Sequence, residues 1–214
     1  DEAALAAPAL GLQRARLETA RLGELVLQAA RRGPTVALAG GPAEFAAARS
    51  DGAEIARLAS AIVQYIGKLS AEEQAADERR EMITLIETVN DLESIGDVVS
   101  TNLVASGEQR LAERVDLAAL RDDSSARFAA FISETLEETV ALLGEPSIVK
   151  SVPIAARKAE MDSLASAARN SVLDRLKLAD VQDVLRLRLA DNLIEQLRQV
   201  GRLSLRIAQH AQQA

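Results

Sequence analysis

Cysteine is absent from this 214-residue chain, tryptophan is absent, and histidine occurs once. Without cysteine there are no disulfides, no thiolate nucleophiles and no thiolate-held zinc or iron–sulfur centres. A Ser-His-Asp triad or a His-based metal site would depend on His210 alone, close to the C-terminus. Aromatic residues make up 2 %, three Phe and one Tyr, which removes the stacking platforms that single-stranded nucleic acid requires. Positive charge is in deficit: 25 Lys and Arg stand against 32 Asp and Glu, for a net charge of −7 and a pI near 4.9. That balance argues against DNA, RNA or anionic lipid as the main partner. No apolar run reaches the ~18 residues of a membrane span. The stretch from Ala3 to Leu12 is broken by Pro8 and lacks the basic start of a signal peptide. The chain opens on Asp1 rather than Met, which suggests a piece of something longer.

What the chain has is Leu, Ile, Val and Ala with abundant Glu and Arg: 48 % hydrophobic and 27 % charged. These residues favour helices that pack closely, and no β-branched alternation marks a strand. The spacing predicts a first helix from about Ala9 to Arg32, with Leu10, Leu17, Leu25 and Val26 on its inner face. Gly33-Pro34 is expected to stop it, and a Gly/Pro loop follows to Pro42. A second helix, about Ala43 to Leu69, carries Ile55, Leu58, Ile62, Ile66 and Leu69 at amphipathic spacing. Ser70-Ala71-Glu72-Glu73 reads as a capping box opening the third helix. That helix runs to about Val104 with Met82, Leu85, Val89, Leu92, Gly96, Val99 and Leu103 buried. The charged stretch from Ala105 to Asp123 reads as a linking helix plus a loop.

The second half repeats the first. Glu54-Ile55-Ala56-Arg57-Leu58-Ala59-Ser60-Ala61 matches Glu160-Met161-Asp162-Ser163-Leu164-Ala165-Ser166-Ala167 at six of eight positions, Ile against Met included, at an offset of 106. Leu92 to Asp97 matches Leu197 to Arg202 at an offset of 105. Two ordered matches at nearly one offset predict an all-α protein of six main helices in two antiparallel three-helix bundles. The expected division is 1–106 for the first repeat, 107–125 for a linker and 126–214 for the second. Gly96 and Gly201 fall at the same point of both repeats. An interior glycine costs a helix about 1 kcal/mol against Ala, so both are expected at tight helix crossings. Phe128 and Phe131 are expected in the second bundle's core.

With these absences, chemistry must rest on carboxylates, hydroxyls or arginines. The densest cluster is Asp91-Leu92-Glu93-Ser94-Ile95-Gly96-Asp97. Glu93 and Asp97, one helical turn apart, project to one side. Glu93 falls on the rim of the apolar stripe, Asp97 further out, and Asp91 almost opposite. Oxygen ligands of this kind suit magnesium, manganese or iron better than copper. A ferritin-like di-iron site is disfavoured, because the residue three before His210 is Ile207. Acidic pairs at this spacing are also common on solvated helices.

The stretch from Met82 to Leu103, centred on Asp91 to Asp97, resembles the signature of PhoU-family proteins, which typically read D-L-E-R-I-G-D. The resemblance implies two repeated three-helix bundles and an E/D-x-x-x-D motif on each third helix that can bind metal clusters. Pro8-Ala9-Leu10-Gly11-Leu12 leading to Arg16-Leu17-Glu18-Thr19-Ala20-Arg21 is similar to one branch of the family. So are Gln64-Tyr65-Ile66-Gly67-Lys68-Leu69-Ser70 and Leu193-Ile194-Glu195-Gln196-Leu197-Arg198-Gln199-Val200-Gly201. That branch is the cytosolic domain following the membrane part of bacterial sodium/phosphate cotransporters. The family's first acidic motif maps onto Glu93 and Asp97 with Asp91 before it, and a second-helix acid onto Asp51 or Glu54. A divalent metal there (magnesium, manganese, iron or zinc) is the only cofactor implied. In the second repeat the motif positions hold Arg198 and Arg202, which cannot ligate a cation. Two alternatives follow for them: pairing with Glu93 and Asp97 across the pseudo-twofold, or solvated surface charge. Arg198, Arg202 and Arg206 could alternatively form a stripe for phosphate, an acidic partner or a transporter face, or pair within the chain.

The expected function is therefore non-catalytic regulation of phosphate transport at the cytoplasmic face of the plasma membrane. The expected partner is a membrane phosphate transporter, in the same polypeptide or separate, with no nucleic acid and no membrane span in this chain. A free-standing PhoU regulator linking a phosphate ABC transporter to its sensor kinase is the alternative. A carboxylate-bridged metalloenzyme and a plain helical scaffold stay open beside it, as does homo-oligomerisation.

Overall fold

A computed structural model describes residues 8–70, 75–117, 122–145, 147–176 and 181–212. Among these residues the regular elements are all helical. They are α1 (Pro8–Ala39), α2 (Pro42–Leu69), α3 (Ala76–Asp97), a π-helical segment (Val98–Leu103), α4 (Val104–Ala112), α5 (Asp123–Gly144), α6 (Ile148–Ala155), α7 (Lys158–Arg175) and α8 (Val181–His210). α3, the π segment and α4 form one continuous rod. α6 and α7 form one arm with a break at Ala156–Arg157. Six main rods in two bundles result, as the repeat predicts.

The offset holds at the element ends. Both ends of α2 lie 106 residues before the ends of the α6–α7 arm, and α3 begins 105 residues before α8. The glycine pair marks equivalent crossings. A Cβ on Gly96 would come within 2.8 Å of Ile55 Cγ2, and one on Gly201 within 2.5 Å of Met161 Sδ. Ile55 and Met161 are themselves repeat mates, so the same contact is built twice. α1 packs on α2 and α3 and crosses to α5, while α3 also packs against α8. One continuous core runs through both bundles, from Leu22, Ile55, Ile66 and Leu92 to Phe128, Leu136, Met161 and Leu189. Burying each such side chain contributes roughly 1.5–3 kcal/mol. Phe128 and Phe131 sit in the second bundle as expected.

Three local expectations are corrected. α1 does not stop at Gly33-Pro34 but continues through Pro34 to Ala39. The reason is tertiary: Gly33 lets α1 press against Leu103 and Val99, and Ala37 beyond it is fully buried. Arg110, 73 residues away, donates from Nε to the Ala37 carbonyl (3.1 Å) and from Nη2 to that of Gly40 (2.5 Å). The inner face of α1 is the predicted one only in part. Val26 is buried and Leu25 packs on the core, but Leu10 and Leu17 are exposed, while Leu12, Ala15, Thr19, Leu22 and Ala29 are buried. Small residues at the crossings share that face with leucine, so leucine spacing alone misleads. Finally, Ser70 closes α2: its N–H donates to the Ile66 carbonyl (3.0 Å) and its hydroxyl to that of Gly67 (2.8 Å). Residues 71–74 of the expected capping box lie outside the described residues. α3 starts at Ala76, with the Ala75 N–H donating to Glu78 Oε2 at 3.1 Å. The linking helix expected after Val104 is present as the continuation of this rod to Ala112.

Candidate functional site

The acidic motif lies on α3 where it crosses α2. Gly96 admits Ile55, and just beyond it a Cβ on Gly52 would fall 2.2 Å from Ser100 Oγ in the π segment. α2 and α3 therefore nearly touch along the residues that precede and follow Asp97. Glu93 is half-buried and Asp97 exposed, as the helical arithmetic places them. Asp51 lies on α2 and donates nothing to a shared centre, because Arg32 of α1 takes its carboxylate at 2.7 Å. Glu54 is exposed on the same helix.

Asp91 departs from the expected outward position and is buried. The face opposite the α2 contact is covered by α8, so α3 has two buried sides. Arg206 of α8 clasps the Asp91 carboxylate through Nε at 2.7 Å and through Nη2. The hydrogen bond to Asp91 holds the Arg206 guanidinium above its ordinary pKa, against a smaller opposing effect of burial; the charges of Asp91 and Glu87 add to the rise. Of the expected ligands, Asp51 and Asp91 are thus committed to arginines. Among the described residues no three or more His, Asp or Glu side chains converge as a metal site. A hard cation takes six or more oxygens. Glu93 and Asp97 offer two carboxylates on one helix and fall short of that set without further ligands.

The arginines of the second repeat do not reach across to Glu93 and Asp97. Arg198 turns to its own bundle and donates to Asp162 Oδ1 of α7 from Nε (3.0 Å) and Nη2 (2.6 Å). Arg202 pairs with Glu195 at 2.9 Å. An ion pair between α3 and α8 forms one turn further on, between Arg206 and Asp91, and Arg31 of α1 pairs with Glu137 of α5 at 2.7 Å. All three arginines of the stripe are therefore matched within the chain. Gln196, the repeat mate of Asp91, makes the corresponding contact on the other side of the α3–α8 crossing: its Nε2 donates to Ser106 Oγ (3.1 Å) and to the Asn102 carbonyl (3.4 Å).

One relationship escaped the sequence reading. Arg32–Asp51 in the first repeat is matched by Glu138–Arg157 in the second, 106 residues on at both ends, with the charges exchanged. Arg157 donates to both Glu138 oxygens at 2.9 Å and lies 5.9 Å above the Phe131 ring. Extending the repeat offset beyond the apolar matches would have exposed this inversion. A cleft of about 420 Å³ also opens between the bundles, lined by Pro34, Leu38, Leu103, Phe128, Leu193 and Leu197.

These features define a class: an all-α protein of two repeated three-helix bundles with one shared core, an acidic motif on the first central rod and arginines on the second. No protein-family model matches the chain, and no curated protein sequence does. Solved structures do. PhoU from Pseudomonas aeruginosa superposes with a TM-score of 0.82 at 18 % identity, covering 95 % of this chain and 96 % of that one. The phosphate transport system regulatory protein PhoU from Streptococcus pneumoniae gives 0.80 at 17 % identity, covering 95 % and 94 %. The chain has the fold of PhoU proteins.

Proposed function

We propose that this chain regulates phosphate transport through protein contact, without catalysing a reaction, as the cytosolic domain of a sodium/phosphate cotransporter. The observation that carries the reading is the likeness to PhoU proteins across both bundles from end to end. The cotransporter assignment rests on the resemblance of the segments 8–21, 64–70 and 193–201 to that branch. The continuous core makes the two bundles one platform, so a shift in its outer contacts would bias a transporter between states. It would work in the cytoplasm, at the inner face of the plasma membrane. No helix among the described residues is long and apolar enough to cross a membrane. Any divalent metal would be held by Glu93 and Asp97, completed by ligands from outside this pair.

A free-standing PhoU regulator is favoured by a different observation: the chain spans nearly the whole length of both PhoU proteins it matches. Phosphate uptake in cells carrying an in-frame deletion of residues 8–212 separates the readings. A change confined to sodium-dependent uptake supports the cotransporter. A change in sodium-independent uptake supports the free-standing regulator. Unchanged uptake at both high and low phosphate would sink the regulatory reading altogether.

A further inference from the structure

The second repeat carries a feature for which the first offers a built-in control. α6 buries Ser151 and Ile154 against the bundle, and its outward face consists of Ile148, Val149, Val152 and Pro153. Ile148 is 60 % exposed, Val149 85 % and Val152 53 %. The repeat mates of these four are Pro42, Ala43, Ala46 and Ala47, at the start of α2. Small residues therefore satisfy this place in the fold, and packing does not call for large aliphatics there. Charge changes in the same stretch: Lys150 replaces Glu44, Arg157 replaces Asp51 and Lys158 replaces Gly52. From Ser147 to Ala159 there are three basic residues and no acidic one, in a chain of net charge −7; Arg157 is held by Glu138, which leaves Lys150 and Lys158 to an outside partner.

We propose that α6 is a lipid-contacting helix that rests its aliphatic face in the headgroup region of an anionic bilayer, with Lys150 and Lys158 at the phosphates. Interfacial helices bind by this combination of apolar insertion and basic flanks. Among the described residues the patch belongs to a helix of eight positions, well short of the roughly 20–30 residues a side of a specific protein interface. Lipid needs no shape complement, whereas a protein partner does. The net charge of −7 opposes anionic lipid at long range and made it a poor main partner. Screening at physiological salt confines that opposition to about 8 Å, where the basic stretch sits. The affinity of one such helix is weak, and attachment to a membrane transporter would raise its effective concentration. The lipid contact itself stands on α6 and not on the phosphate-transport reading.

The test uses the full chain with Val152→Trp, which gives a single tryptophan in a protein that has none. Titration with phosphatidylglycerol/phosphatidylcholine vesicles is expected to shift its emission to the blue, and pure phosphatidylcholine to do so about fivefold less effectively or worse. Co-sedimentation of the unaltered chain with the same vesicles checks that the reporter has not created the binding. Val149→Asp should cut sedimentation about tenfold, and Lys150→Glu about fivefold. Ala43→Asp, at the equivalent place in the first repeat, should change nothing. Equal melting temperatures establish that the variants fold. The proposal fails if the unaltered chain does not sediment with anionic vesicles, or if Ala43→Asp matches Val149→Asp. It fails equally if Val149→Asp instead dissociates a lipid-free dimer, which would make the occupant a second copy of the chain.

Discussion

The two bundles share a frame and differ in charge. α2 and the α6–α7 arm start and end 106 residues apart, α3 and α8 start 105 apart, and the Gly96–Ile55 contact recurs as Gly201–Met161. Over that frame the Arg32–Asp51 pair becomes Glu138–Arg157, and the Glu93/Asp97 motif becomes Arg198/Arg202. The difference teaches that the close apolar crossings hold this fold, while charges are interchangeable as long as each finds a partner nearby. Exposed ion pairs contribute only ~0–1 kcal/mol, so exchanging their signs costs the fold little. It costs a cation site everything, since guanidinium groups repel the ion that carboxylates would hold.

The largest loss of stability is expected where the repeats meet. Asp91 is buried while its partner Arg206 is 55 % exposed in its side chain. Arg206→Ala would leave a carboxylate in the interior without its clasp, and about 3 kcal/mol of stability should be lost. Asp91→Ala leaves the arginine free to reach water and should cost about half as much. Gln196→Ala, at the repeat mate of Asp91, removes neutral hydrogen bonds and should cost about 1 kcal/mol. Urea unfolding of the three variants checks the order. Equal losses for Arg206→Ala and Asp91→Ala would mean that the burial of Asp91 does not dominate the pair.

A second contrast concerns the arms themselves. In the first repeat α2 is continuous and the rod facing it turns π-helical at Val98–Leu103. In the second the arm breaks at Ala156–Arg157 and α8 stays regular. Gly52 sits where α2 meets the π segment, and a Cβ there would come 2.4 Å from Ser100 Cβ, an atom the backbone fixes. Gly52→Ala gains roughly 1 kcal/mol of helix propensity yet should destabilise on balance, by about 1–2 kcal/mol, because the crossing must open. Lys158→Ala at the equivalent place should stay within about 0.5 kcal/mol. A stabilised Gly52→Ala variant would show that the crossing yields.

The repeat, the helical class and the stripes of α2 and α3 were legible because Ile, Leu, Val and Met recur at helical spacing and the two glycines coincide. The end of α1 was not. Gly33-Pro34 is a stop signal locally, and only Leu103, Val99 and the far-off Arg110 override it. Asp91 was misplaced for a similar reason. One-helix arithmetic finds one buried face, and α3 has two because α8 covers the other. Glu93 and Asp97 fell where spacing put them, but Arg32 on Asp51 and Arg206 on Asp91 depend on which helices become neighbours. Symmetry points to cross-repeat salt bridges from Arg198 and Arg202, but each finds a carboxylate within its own bundle first. Asp162 and Glu195 lie closer.

A modest effect is expected in acid. At the start of α5, Asp122 Oδ1 accepts from the N–H groups of Ser124 (2.8 Å) and Ser125 (3.0 Å), and Oδ2 from the Ser125 hydroxyl (2.9 Å). Burial pushes its pKa up, but these bonds, with one from the Ser171 hydroxyl, outweigh burial and hold it below the ordinary carboxylate value. The folded state therefore binds the proton less readily than the unfolded chain. Its contribution is complete above the unfolded pKa of ~3.9 and fades as pH falls through the lower folded value. Asp122→Ala should cost about 1 kcal/mol at pH 7, and the gap to the unaltered chain should narrow towards pH 2. At the starts of α2 and α6 the acid cap belongs to the first repeat instead. Glu44, lowered chiefly by the Gly41 N–H, caps α2, whereas the hydroxyl of Ser147 caps α6. Acid should loosen the first and leave the second, so Glu44→Gln should flatten the pH dependence and Ser147→Ala should not. Parallel pH profiles for all of these variants would locate the acid sensitivity elsewhere in the chain.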